Sequence, residues 1–106
     1  MSGARIYADF NGLERPAVAG GHWAVALDTV GTVRDLSNAG IRLTEGLSFT
    51  IWDASDEDED LEADAVARYD SASAIWWADL GEAGYRYVAA RDRLTDRRFL
   101  FAPPAA

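Results

Sequence analysis

The chain has 106 residues, about the size of one domain, and almost half of them are apolar. It has no cysteine, which excludes disulfides, thiolate metal sites and cysteine nucleophiles and fits a reducing cytoplasm. The net charge of −8 is local: residues 53–64 hold eight acids (Asp53, Asp56, Glu57, Asp58, Glu59, Asp60, Glu62 and Asp64) and no base, while the other ten acids balance ten arginines. Without a basic stripe, phosphate-directed nucleic-acid binding is not expected. The start Met1-Ser2-Gly3-Ala4-Arg5 runs straight into an alternating segment, so no signal peptide is expected. The apolar runs fall short of the ~20 residues that cross a bilayer.

Residues 5–10 alternate, with Ile6, Ala8 and Phe10 on one side, and predict a half-buried strand closed by Asn11-Gly12. Residues 16–21 read as loop. A second strand is expected over 23–30, with Trp23, Val25 and Leu27 on one face. Thr32-Val33-Arg34-Asp35 has the form of a capping box, so one or two helical turns are expected near 33–37, stopped by Gly40. A third strand is expected over 41–52, with Leu47, Phe49 and Ile51 inward and Ser48, Thr50 and Trp52 outward. The acidic run reads as a solvated loop in which Asp56, Glu57, Asp58, Glu59 and Asp60 repel one another.

Strand four is expected over 61–69 and strand five over 74–80, joined by the short polar turn Asp70-Ser71-Ala72-Ser73. With Ser71 and Ala72 central, Ala67 faces Trp76 and Ala65 faces Ala78 on the inner face, and Val66 faces Trp77 outside. Residues 85–91 and 97–101 are the last strand candidates, with a helix over 85–98 as the competitor. Turn signals every ~8–12 residues predict a mainly β fold, a small antiparallel barrel or sandwich of about six strands with one short helix. Residues 1–102 read as one domain and 103–106 as a tail.

The catalytic inventory is thin. His22 is the sole histidine and lacks metal-ligand spacing. Asp56, Asp58 and Asp60 imitate the opening of a calcium loop, but Leu61 and Ala67 stand where that loop needs glycine and glutamate. No cofactor, metal or catalytic residue is assigned. The hairpin register sends Trp77 outward beside Val66 and Ile75, and strand three sends Trp52 outward. Trp52, Val66, Ile75 and Trp77 are therefore the candidate interaction residues. Either residues 85–101 or a second chain is expected to cover Trp77.

Arg5-Ile6-Tyr7-Ala8-Asp9-Phe10-Asn11, Gly31-Thr32, Asp35-Leu36, Glu45-Gly46-Leu47, the acidic run and Tyr69-Asp70 resemble a family of short, acidic, uncharacterised bacterial proteins, across roughly residues 5–80. That resemblance implies no activity. Val33-Arg34-Asp35-Leu36-Ser37-Asn38-Ala39-Gly40-Ile41-Arg42-Leu43 resembles the D-x-S-x-x-G motif of PilZ domains, small β-barrels that bind cyclic diguanylate. Their arginine motif, R-x-x-x-R, has no counterpart in residues 1–30. The expected function is a non-enzymatic β-barrel module that binds another protein or a second copy of itself. The alternatives are a divergent PilZ-like cyclic diguanylate sensor and an inhibitor whose acidic loop occupies a basic site.

Overall fold

A computed structural model describes residues 5–90. The fold is mainly β: seven strands and one α-helix. The strands are β1 (Arg5–Tyr7), β2 (Leu13–Glu14), β3 (Ala24–Ala26), β4 (Ser48–Ala54), β5 (Glu59–Asp70), β6 (Ile75–Asp79) and β7 (Arg86–Ala89), and α1 spans Val30–Ala39. They form one sheet in the order β1-β4-β5-β6-β3-β2, and the two ends of this path do not join. β5 is the spine. It pairs with β4 along one edge and shares its other edge between β7, from Glu59 to Glu62, and β6, from Val66 to Asp70. All pairs are antiparallel except β1 with β4, which is parallel with Ile6 opposite Ile51.

Alternation sets the inner face. Ile6 of β1, Phe49 and Ile51 of β4, Ala63, Ala65 and Ala67 of β5, Ala78 of β6 and Val25 of β3 belong to one apolar cluster with Phe10, Leu27, Leu36 and Leu80. Residues from β1 and β3 meet in that cluster, so the sheet curls around it. The small β5 alanines leave room for the large side chains of β4. Each large apolar side chain contributes ~1.5–3 kcal/mol by leaving water.

The β5–β6 hairpin corrects the expected register but keeps the faces. Asp70 closes the ladder opposite Ile75, so the loop has four residues, and Ala67 faces Ala78 while Tyr69 faces Trp76. Asp70 Oδ1 accepts the N–H of Ala72, and Ala74 takes a positive φ of 60°, which lengthens the turn. The shift is two residues along β6, and an even shift preserves the pleat, so Trp76 stays on the inner side and Trp77 on the outer.

The helix is longer than expected and its cap differs. Thr29, not Thr32, is the N-cap, and its side chain accepts from the N–H of Thr32. The Thr32 hydroxyl instead donates to the carbonyl of Tyr7 at 2.6 Å, and Asp35 Oδ2 accepts the N–H of Tyr7 at 2.9 Å. Two residues of the proposed capping box thus hold β1 to α1. Gly40 ends the helix in the left-handed region at φ 68°, donating to the Leu36 and Ser37 carbonyls.

Several expected strands are shorter. The first ends at Tyr7, and Phe10–Gly12 turns as a 3-10 helix; the second is Ala24–Ala26; the third begins at Ser48, not at 41. Residues 86–89 are strand rather than helix, and the candidate at 97–101 lies outside the described residues. Among the described residues no helix is long and apolar enough to cross a membrane.

Candidate binding surface

The acidic run is the end of a hairpin rather than a free loop. β4 and β5 pair as far as Ala54 opposite Asp60, and Asp56 builds the tip, its Oδ1 accepting the N–H groups of Asp58 and Glu59 at 2.8 Å each. Asp56, Glu57, Asp58 and Glu59 are exposed, but Asp60 is wholly buried, which removes it from the expected solvated loop.

From Asp60 onward every second β5 residue faces the outer side of the sheet, where arginines meet the acids. Arg5 reaches across β4 to Asp60 at 3.2 Å and to Glu62 at 2.8 Å, its guanidinium 4.9 Å from the Trp52 ring centre. Arg86 on β7 bonds Glu62 at 2.8 Å and Asp64 at 3.2 Å. Burial works to raise the Glu62 carboxyl, but the hydrogen bonds and charges of Arg5 and Arg86 outweigh it and hold it below the ordinary glutamate range. Two arginines thus offset most of the charge of the three strand acids Asp60, Glu62 and Asp64, and the tip acids are exposed.

The four candidate interaction residues do not form one cluster. Trp77 is only 7% exposed and packs with Ala19 and Ala24 against Val18, Ala26 and Ile75. Among the described residues the cover is the 3-10 turn Ala17–Ala19, so Trp77 is corrected from an outward-facing interaction candidate to a buried residue, and the expected cover by 85–101 falls largely outside the described residues. Val66 faces Asp79, not Trp77. Trp52 is half-buried, edge-on to Tyr7 with ring centres 5.8 Å apart.

Val66 lines a groove of about 350 Å³ on the outer face with His22, Ser48, Thr50, Asp64, Arg68 and Asp79. His22 Nδ1 lies 3.0 Å from Asp79 Oδ1, and Arg68 Nε donates to Asp79 Oδ2 at 3.3 Å. Burial works to raise Asp79, but the Gly81 N–H, Arg68 and His22 hold it low, so it is ionised. His22 thus takes a partner 57 residues along the chain. Among the described residues no three His, Asp or Glu side chains converge to hold a metal ion. Asp35, Ser37 and Gly40 of the PilZ-like motif lie on α1 and its cap, where Asp35 is engaged with the Tyr7 backbone.

A second cavity, about 320 Å³, opens where β1 leaves the sheet, lined by Tyr7, Asp9, Phe10, Asn11, Leu13, Asp53, Ala54, Leu61 and Tyr85. Asp9 caps the 3-10 turn through the N–H of Asn11 at 2.9 Å. Asp53 accepts the N–H of Phe10 at 2.9 Å and of Ala54 at 2.8 Å. Tyr85 meets Phe10 edge-on at 6.1 Å and Tyr87 at 6.2 Å, and these two tyrosines remain 45% and 57% exposed. Leu61 sits opposite Tyr87, two residues after the tip, so cavity, tyrosines and acidic tip share one end of the molecule. The alternating pattern hid this site, since it placed Asp9 on the outer face of a six-residue strand. The Asn11-Gly12 turn signal was the available clue. No protein-family model, no curated protein and no solved structure matches this chain.

Proposed function

We propose that this chain is a non-enzymatic, cytoplasmic protein-binding module that docks a basic protein surface with its acidic hairpin tip and the adjoining tyrosines. The observation that carries this reading is the concentration of exposed acids at one end: Asp56, Glu57, Asp58 and Glu59 are exposed at the hairpin tip, at the same end as the exposed rings of Tyr85 and Tyr87. A projecting acidic field steers a basic partner and speeds encounter, and exposed tyrosines supply anchoring area. The same tip favours the inhibitor reading, in which the basic surface is a functional site of the partner.

The test compares wild type with a variant carrying Asp56→Asn, Glu57→Gln, Asp58→Asn and Glu59→Gln, in which the amide oxygen introduced at position 56 retains the acceptor that builds the turn. Both are tagged and used for affinity purification from cells of the source organism at low and raised salt. Wild type is expected to retain a basic protein at low salt and release it at raised salt. The variant is expected to lose that protein while keeping its melting temperature. Equal retention by the variant overturns the reading.

A further inference from the structure

We propose that the cavity between Tyr7, Asp53 and Tyr85 is a receptor for one cationic side chain, a lysine ammonium or arginine guanidinium at the end of its alkyl stem, presented by the partner. This rests on the protein-binding reading above and specifies what the partner inserts. At about 320 Å³ the cavity lies at the lower end of the ~300–1,000 Å³ typical of ligand pockets, the scale of a single side chain rather than a large cofactor.

Its walls have two chemistries. Leu13, Leu61 and the rings of Tyr7, Phe10 and Tyr85 give an apolar sleeve for an alkyl stem, and aromatic faces attract cations. Asp9 and Asp53 supply the counter-charge. Each Asp53 oxygen accepts one backbone N–H, and a carboxylate oxygen has a second lone pair for a further donor.

Among the described residues that line the cavity, Asp9 and Asp53 are the charged ones, and both are acids. Burial pushes the Asp53 carboxyl up; the Phe10 and Ala54 N–H groups oppose that, and the charges of Asp9 and Asp60 push it further up. Burial likewise raises the Tyr7 hydroxyl, with Asp53 and Asp9 adding to it. Asp9 thus acts on both Asp53 and Tyr7, and Asp53 on Tyr7, a negative field that an entering cation relieves and an anion worsens. Aromatic lining and the absence, among the described residues, of three converging metal-ligating side chains favour an organic cation over a metal ion.

The probe is agmatine, an alkyl guanidinium that needs no protein partner, followed by amide NMR of the full chain, with n-pentanol and butyrate as neutral and anionic controls. Agmatine is expected to shift the amides of Asn11, Ala54 and Tyr85 saturably, and the controls are not. Asp9→Asn keeps the acceptor that caps the turn and removes the charge, so it is expected to weaken agmatine about five-fold without changing the melting temperature. Tyr85→Leu is expected to weaken it independently. Agmatine shifts confined to the hairpin tip, or unchanged in both variants, overturn the receptor. If the tip variant loses the captured partner while agmatine fails to bind, the receptor falls and the docking reading stands. If agmatine binds as described but the tip variant retains the partner, the docking reading falls alone.

Discussion

Trp77 is the residue on which sequence and structure disagree most, and its replacement separates two accounts of the outer face. Its indole is 7% exposed beneath the Ala17–Ala19 turn, and among the described residues its Nε1 has no hydrogen-bond partner. Trp77→Ala removes the ring between Ala19, Ala24 and Ile75, and small alanines cannot collapse into the space, so a loss of ~3–5 kcal/mol is expected. Trp77→Phe keeps a ring there and removes the buried donor, whose desolvation opposes folding by ~1–3 kcal/mol. That relief offsets most of the lost contact, so the net change should stay below ~1.5 kcal/mol. Urea unfolding followed by far-ultraviolet circular dichroism measures both, with an unchanged m-value required for comparison. If Phe destabilises as much as Ala, the indole N–H is bonded in solution. If Ala is tolerated but sedimentation shows loss of an assembly, Trp77 is an interface residue and the core assignment is refuted.

Arg5→Met withdraws the cation from buried Asp60 and Glu62 and should cost ~3–5 kcal/mol in the same assay; a loss under ~1 kcal/mol would show the network to be solvated. Gly31→Ala places a Cβ 2.8 Å from the Tyr7 ring, so it should destabilise by ~1–3 kcal/mol although alanine is the better helix former, and a higher melting temperature would contradict the packing of α1 on β1. Stability should fall on acidification. Glu62 and Asp79 lie below their ordinary values of 4.5 and 3.8, so the stability they add is complete above those values and is lost as pH falls through their lowered folded values. Asp53, raised above 3.8, works in the opposite sense and opposes folding when ionised, so acid partly compensates. Urea midpoints measured across this range should decline; a continuous rise on acidification would refute the Arg5 and Arg86 assignments.

The sequence by itself determined the mainly β class, the centres of the longer strands and which of their side chains face inward, because alternation is a local property of the chain; it missed the short β2 and overran the ends of β1 and β3. Phe49 and Ile51, Ala63, Ala65 and Ala67, and Trp76 and Ala78 occupy the faces their spacing predicts. It also located the acidic run and the glycine that stops α1. Tertiary structure decided what depends on contacts between distant residues. The four-residue loop set the β5–β6 register two places from the expected one, and Thr32 and Asp35 were drawn from a capping box to the backbone of Tyr7. Arg5 crossed β4 to meet Asp60 and Glu62, which turned part of an apparent loop into a buried ion pair. The turn at Ala17–Ala19 covered Trp77, and the bend after Tyr7 carried Asp9 to the cavity beside Asp53. Each of these joins residues whose separation along the chain carries no period, so only the folded backbone brings them together.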